Sequence, residues 1–408
     1  NGHCRKFDAG TMCPSFRVTR DEAHSTRGRA NTLRLAVSGQ LGPDAFALNE
    51  VKAALDLCVS CKGCRRECPT GVDMAKMKVE FLAHYKERHG HTLRDRLIAH
   101  LPRYARLASR FSGLVNLRNR SPLLARLSQR IAGFAADRSL PAFRADVFTH
   151  DAPAAPAPRT GSRQVVLFAD TFNNHFEPDI LRDAQRVLVA AGYEAVVLAG
   201  GARPLCCGRT YLGTGMVERA RAEARRTLDA LLPWARAGVP IVGLEPSCLF
   251  SFRDEYLVLG LGAEADELSR AALLFEEFVL REHAAGRWTL ALQAPAGSAA
   301  LLHTHCHQKA FGVAGTVQQA LALVQGLSVQ HVESSCCGMA GSFGMEAEHV
   351  EVSRAMGELS LLPAVRAASA DTLIVADGTS CRHQIHDGAQ RRALHVVEVM
   401  ARSLPEQS

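Results

Sequence analysis

The chain has 408 residues, 22% of them charged and 47% hydrophobic, with a net charge of +7 carried mostly by arginine. This composition excludes a disordered or fibrous protein, and the length predicts two or three domains. No uninterrupted apolar run reaches the roughly eighteen residues that span a bilayer, and no nucleic-acid-binding motif accompanies the positive charge, so no nucleic-acid partner is expected.

Thirteen cysteines, clustered as C-x2-C and Cys-Cys pairs, make a poor disulfide framework for so long a chain. They read as metal ligands in a reducing compartment, which predicts a cytoplasmic protein. The opening Asn1-Gly2-His3-Cys4 looks like the middle of a motif, as expected for the C-terminal part of a longer polypeptide.

Cys4 and Cys13-Pro14 form a loose first cysteine set. Ser25 offers a hydroxyl cap to an amphipathic helix stopping near Gly39, and a second helix over 45–57 delivers Cys58. There follows the densest stretch of the chain, Cys58, Cys61, Cys64 and Cys68-Pro69, spaced C-x2-C-x2-C-x3-C-P. Three thiols two residues apart wrap one corner of a [4Fe–4S] cubane, while the fourth serves the other cluster of a pair. By this crossed rule Cys13 joins Cys58, Cys61 and Cys64, and Cys68 joins Cys4 in a second cluster whose missing thiols are expected before Asn1. A structural zinc knuckle and, for Cys4 and Cys13, ordinary buried cysteines are the alternatives. Asp73 caps a further helix ending at Gly90.

Residues 1–90 are therefore expected to form an all-helical, ferredoxin-like two-cluster module. Residues 91–147 read as basic helices in which Leu97, Leu101, Tyr104, Leu107 and Phe111 make a core-facing stripe. A dock for an anionic membrane surface or a partner domain is the other reading. Residues 148–163, with Pro153, Pro156 and Pro158, are a linker.

Beyond 163 strands alternate with helices, the pattern of parallel sheets with helices on their faces. Strands are predicted at 165–168, 195–198 and 240–244, with Cys206-Cys207-Gly208 and Ser247-Cys248 after the last two. The order recurs at 301–303, 329–332 and 373–376, with Cys306, Cys336-Cys337-Gly338 and Ser380-Cys381. This predicts a duplicated α/β architecture, with repeats at 164–295 and 296–408. Helices are expected over 178–191, 216–235, 313–324 and 346–368. Cys306, Cys336, Cys337 and Cys381 should meet directly at the strand ends and hold a third cluster, or else form a buried or redox-active thiol set. Thr171 stands where the second repeat has Cys306, leaving Cys206, Cys207 and Cys248 one thiol short. Strand alternation would put His303, His305 and His307 on one face, for metal, for protons or for hydrogen bonding at the sheet edge.

The cysteine run, the Ser25-Thr26-Arg27-Gly28-Arg29 stretch and the doubled Cys-Cys-Gly segment together resemble the iron–sulfur part of FAD-linked D-2-hydroxyacid dehydrogenases. The Cys4 to Cys13-Pro14 segment looks most like the long single-chain enzymes acting on D-lactate or D-2-hydroxyglutarate. The second part is also similar to the heterodisulfide reductase B subunit and to iron–sulfur subunits of glycolate oxidase and anaerobic glycerol-3-phosphate dehydrogenase. The resemblance implies FAD on a preceding part of the polypeptide, or on a partner subunit, and electron flow from flavin through the clusters to an acceptor such as a quinone or a redox protein. No catalytic residue is implied within this sequence. A position at the inner face of the membrane would fit. A thiol–disulfide reductase centred on Cys306, Cys336, Cys337 and Cys381, or a separate electron-transfer subunit, are the other implied functions. No second cysteine follows Cys248 or Cys381 at C-x2-C spacing, which departs from the five-thiol heterodisulfide pattern.

Overall fold

A computed structural model of the chain describes residues 2–7, 10–151, 155–198 and 203–405. Its described N-terminal part is helical throughout, as expected. Ser25 caps the helix Thr26–Val37 by accepting from Gly28 N, and Asp73 caps Met74–His89 by accepting from Lys76 N. Gly90 ends the latter helix at φ 73°, a conformation that costs glycine nothing. The predicted helix over 45–57 is instead a short 3-10 turn, Ala45–Ala47, followed by Asn49–Asp56.

Residues 93–132 form the helices Leu93–Ala99, Leu101–Arg110, Ser112–Val115 and Pro122–Ala132. The expected core stripe holds only in part: Leu97, Leu101 and Tyr104 are half-buried. The buried face carries Ala99, Pro102, Ala105, Ala108 and Ser109, while Leu107 and Phe111 are 61% and 53% exposed. Small side chains let this helix lie close against the body, which turns its bulky ones outward. Residues 134–138 are stitched into the far end of the chain: Ala135 N donates to Met345 O, and Arg138, 4% exposed, donates to Gly344 O and Ser353 Oγ. Of the predicted linker, Pro153 lies outside the described residues, and the described part of 155–163 carries no helix or strand.

Among its described residues the remainder contains ten strands: β1 Gln164–Phe168, β2 Glu194–Val196, β3 Ile241–Gly243, β4 Ala272–Leu274, β5 Leu292–Gln293, β6 Ala299–Leu302, β7 Val324–Gln325, β8 Ser328–His331, β9 Leu373–Val375 and β10 Ala393–Leu394. One sheet runs β2-β1-β3-β4, a second β8-β6-β9-β10, and β5 pairs with β7 in a two-stranded third, every pair parallel. Strand order and polarity are thus the same in the two four-stranded sheets. β4, β5, β7 and β10 escape a reading of the sequence because two or three residues carry no usable period. The helix predicted over 346–368 is broken at Leu359-Ser360 into Val350–Glu358 and Leu361–Ala367.

One apolar core lies between the sheets. It joins Val165 and Leu167 of β1 and Leu302 of β6 to helices Pro178–Ala190, Phe275–Ala284, Ala314–Leu321 and Val396–Arg402. Polar ties cross the same boundary at the carboxyl ends of the strands. Glu245 accepts from Thr379 N at 2.8 Å, His395 Nε2 meets Leu244 O at 2.9 Å, and Arg382 pairs with Glu177 at 2.6 Å. Those carboxyl ends are where the cysteines collect.

Candidate metal centre

In the helical module the loop between Asn49–Asp56 and Gly63–Glu67 holds Ser60 at φ 50° and Lys62 at φ 57°. Two left-handed residues at alternate positions curl the backbone tightly around Cys61, a shape L-residues keep only when their surroundings over-determine it. Lys62 is fixed by a buried cage: its Nζ lies 2.6 Å from Asp254, 3.0 Å from Glu255 and 3.8 Å from Asp73. The helix Pro14–Thr19 starts at Cys13, and Arg29, 1% exposed, donates to Cys13 Sγ at 3.3 Å and to Ser15 Oγ at 2.7 Å.

Cys64 lies within electrostatic reach of Cys58 and Cys13, and Cys61 within reach of Cys13, Cys64 and Cys306. Burial pushes the Cys64 thiol up to about 12, and Cys58 and Cys13 beside it act in the same sense. Burial also pushes the Cys61 thiol well up, helped by Cys306, Cys13 and Cys64. Cys4 and Cys64 each accept a backbone N–H at 3.4 Å, from Arg27 and Met74. Burial disfavours ionisation of Cys68, but the Thr70 hydroxyl at 3.1 Å and nearby backbone N–H groups hold its thiol below the ordinary value.

In the second sheet unit the expectation that four thiols sit directly on strand ends needs correction. Cys306 opens the helix Cys306–Ala310, four residues past β6, and Cys381 lies in the first turn of Thr379–Ala389. Only Cys336 and Cys337 occupy a loop, after β8. Helix starts present unpaired N–H groups, which favour thiolate over thiol. Hydrogen bonding with Cys336 draws the Cys306 thiol down to about 7 against the effect of its burial. Hydrogen bonding with Cys336 and Cys381 likewise holds Cys337 well below the ordinary value. Gly338 N donates to Cys336 Sγ at 3.5 Å, and Gly338 sits at φ 89° where an added Cβ would come 2.3 Å from Ser353 O.

The predicted common face of His303, His305 and His307 is not formed, because β6 ends at Leu302. His303 Nδ1 meets Ser334 Oγ at 2.7 Å. His305 caps the helix of Cys306, its Nδ1 accepting from His307 N. His307 Nε2 meets Ser60 O at 3.1 Å and so staples the cysteine loop to the second sheet unit. Neither this staple nor the Lys62–Asp254 pair, 192 residues apart, leaves any local signal in the sequence.

The first sheet unit repeats the geometry with fewer ligands. Thr171 opens a helix after β1 as Cys306 does after β6, and Cys248 lies in the first turn of Pro246–Arg253 as Cys381 does in its helix. Gly208 N donates to Cys206 Sγ at 3.4 Å, and Cys206, Cys207 and Cys248 are buried.

These thiols fit iron–sulfur ligation. Crowded buried thiols lower the cost of becoming thiolates together by binding a cation, and N–H···S bonds are the contacts that tune such centres. A cavity of about 1760 Å³ opens beside them, lined by Cys58, Val59, Ser60, Cys306, Cys336 and Cys337 among others. No helix among the described residues is long and apolar enough to cross a membrane.

Comparison with known proteins finds two matching domains. Residues 1–72 match the 4Fe-4S dicluster domain, and residues 300–386 match the cysteine-rich domain. The chain is 27% identical over 430 residues to a D-2-hydroxyglutarate dehydrogenase of Escherichia coli K12, covering 94% of this chain and 41% of that protein. It is 26% identical over 315 residues to one subunit of the anaerobic glycerol-3-phosphate dehydrogenase of the same organism, covering 77% of this chain and 78% of that subunit. It is 24% identical over 428 residues to that organism's glycolate oxidase iron-sulfur subunit, covering 99% and 94%. The chain thus spans about two fifths of the length of the D-2-hydroxyglutarate dehydrogenases it matches. It is an iron–sulfur chain that joins a 4Fe-4S dicluster domain to a cysteine-rich domain, similar over nearly its whole length to D-2-hydroxyglutarate dehydrogenases and glycolate oxidase iron-sulfur subunits.

Proposed function

We propose that the chain is the electron-transfer part of an FAD-linked D-2-hydroxyacid dehydrogenase of the D-lactate or D-2-hydroxyglutarate type, with the flavin carried on another part of the polypeptide or on a partner subunit. Cys13, Cys58, Cys61 and Cys64 hold one [4Fe–4S] cluster, Cys68 and Cys4 contribute to a second, and Cys306, Cys336, Cys337 and Cys381 hold a third. Residues 1–90 and 296–408 are then the two working domains, with 91–147, the 148–163 linker and the 164–295 repeat as the frame between them. Bound clusters supply one-electron chemistry, which lets an electron pair from flavin leave singly.

The observation that carries the reading is adjacency. Cys61 and Val59 share one buried cluster with Cys306, Cys336, Cys337 and Cys381. His307 and Lys62 clamp that contact, so the residues of the first and third centres pack directly against one another. The acceptor, a quinone or a redox protein, would approach through the cavity beside these thiols. The protein works in the cytoplasm, at the inner face of the membrane. Nine large apolar side chains from Leu107 to Ile131 are exposed, and no acidic residue occurs between Asp95 and Asp137 to offset the arginines there.

Iron and sulfide are to be counted in anaerobically prepared protein carrying C61S or C306S. Each substitution should remove the equivalent of about one cubane, roughly four irons, and abolish only its own paramagnetic signal in the reduced state. Iron content unchanged in both variants would end the proposal.

A further inference from the structure

We propose that Arg29 sets the reduction potential of the first centre: its buried guanidinium is the fixed counter-charge of the Cys13 sulfur and makes that centre easier to reduce. The proposal rests on the cluster assigned above to Cys13, Cys58, Cys61 and Cys64. Arg29 acts on it as a positioning residue, not as a ligand.

Arg29 stands where the helix Thr26–Val37 calls for an apolar side chain, on the buried face with Thr26, Leu33 and Ala36. Every nitrogen of the guanidinium is engaged. Nε donates to Ala54 O at 2.9 Å, Nη2 to Ser15 Oγ at 2.7 Å and Nη1 to Cys13 Sγ at 3.3 Å. Two of these acceptors are neutral oxygens. Among the described residues no carboxylate pairs with Arg29, so the sulfur is the one partner able to carry negative charge. A guanidinium stays protonated in a protein, and a buried charge without a counter-charge is costly. Ligation removes that cost, because it turns the Cys13 thiol into a thiolate. The thiol form has little use for the site. The carbonyl it could bond, His24 O at 3.6 Å, already accepts from Ser15 Oγ at 2.9 Å.

The same stretch contains a control. Arg27, two residues earlier, is 46% exposed and pairs with Glu22 at 2.7 Å. Arg29 faces inward instead, and its neighbours hold it there. Ser25 caps the helix, and a Cβ on Gly28 would come 2.0 Å from Glu22 O, so the helix lies against the Glu22–His24 turn only with glycine at that position. A second cation stands on the same centre. Lys78 Nζ donates to Cys58 O at 2.7 Å and to Asp56 O at 3.1 Å, while the Asp56 carboxylate is taken by Lys52 at 2.5 Å. Burial draws Lys78 below its ordinary pKa and Arg29 adds to this, whereas Cys58, Asp56 and Glu346 act in the opposite sense. An electron added to this cluster therefore arrives beside fixed positive charge. Net charge and hydrogen bonds to sulfur are what set the potential of such a centre.

The test is a redox titration followed by electron paramagnetic resonance on the anaerobically prepared, iron-loaded chain. The first centre is the reduced-state signal that C61S removes. R29Q keeps neutral N–H donors and deletes the charge. It should retain the wild-type iron and sulfide count and disfavour reduction of this centre about tenfold, a midpoint lower by about 59 mV for one electron. R29K should restore most of that shift, and the signal that C306S removes should move far less. An unchanged midpoint in iron-loaded R29Q would overturn the proposal. An equal shift in R29K would do the same, since shape and not charge would then be the cause. If R29Q loses the iron of this centre, R29K decides: loading with a near-wild-type midpoint supports the counter-charge, and failure to load overturns it. A wild-type chain lacking the C61S-sensitive signal and its iron would remove the underlying centre, an outcome that the iron count shows separately.

Discussion

Lys62→Met is the most informative single perturbation of the interface between the cysteine loop and the sheet units. Methionine keeps the length of the stem and leaves φ at position 62 to the same backbone, so charge is the main thing removed. The ammonium is 1% exposed and faces Asp254, 3% exposed, at 2.6 Å, with Glu255 at 3.0 Å and Asp73 at 3.8 Å. Breaking a buried pair by deleting one partner costs about 3–5 kcal/mol, because the other charge is left uncompensated. Three cations stay behind to soften that loss, Arg65 at 3.9 Å from Asp254 among them. Lys76 lies 2.7 Å from Asp254, and Arg209 lies 3.3 Å from Glu255. Asp73 Oδ2 and Glu255 Oε2 have no hydrogen bond, so they gain no replacement. The expected loss is therefore at the low end, about 3 kcal/mol. Urea unfolding of the iron-loaded chain under nitrogen measures it, and a cycle with D254N isolates the pair. The double variant should recover about 1 kcal/mol or more relative to the sum of the single changes, as contacting charges do. A loss below about 1 kcal/mol, or strict additivity with D254N, would show that water reaches the cage and that the clamp is not dry.

Three further outcomes are expected. Gly338→Ala, which combines φ 89° with a Cβ 2.3 Å from Ser353 O, should destabilise the chain markedly more than Gly208→Ala, whose Cβ would stand 3.2 Å from Ala220 O; equal unfolding midpoints for the two would contradict this. Burial, with Arg106 nearby, depresses His175 from its ordinary 6.5 to about 4. Its folded pKa lies below the unfolded one, so its contribution is full above about pH 6.5 and is lost as pH falls toward 4, a change of about 3 kcal/mol that H175Q should flatten in stability–pH curves. For the exposed apolar and arginine-rich surface, the iron-loaded chain should sediment with vesicles containing anionic lipid and not with neutral ones; L123E with I131E should abolish this while leaving iron content unchanged, and equal binding to neutral vesicles would refute the electrostatic part.

Much of the metal chemistry was written in local order. Four thiols within eleven residues, a proline after the last, and two Cys-Cys-Gly corners on a strand–helix alternation name their cofactor class and sheet type, because ligand spacing and chain period are short-range properties. Caps at Ser25 and Asp73 were legible for the same reason. Three things were decided only by the folded chain. Cys306 and Cys381 moved from strand ends to helix starts, since a strand stops where its neighbours stop pairing, and that is a property of the sheet. The C-terminal end of the 97–111 stripe, Leu107 and Phe111, turned outward because the alanine face could approach the body more closely, a choice made by the surface it meets. The third is the meeting of Cys61 with the Cys306 set, clamped by Lys62–Asp254 and His307–Ser60 across 192 and 247 residues. Buried charge and hydrogen-bond partners so distant leave no periodicity to read; only packing the two sheet units against the helical module brings them into contact.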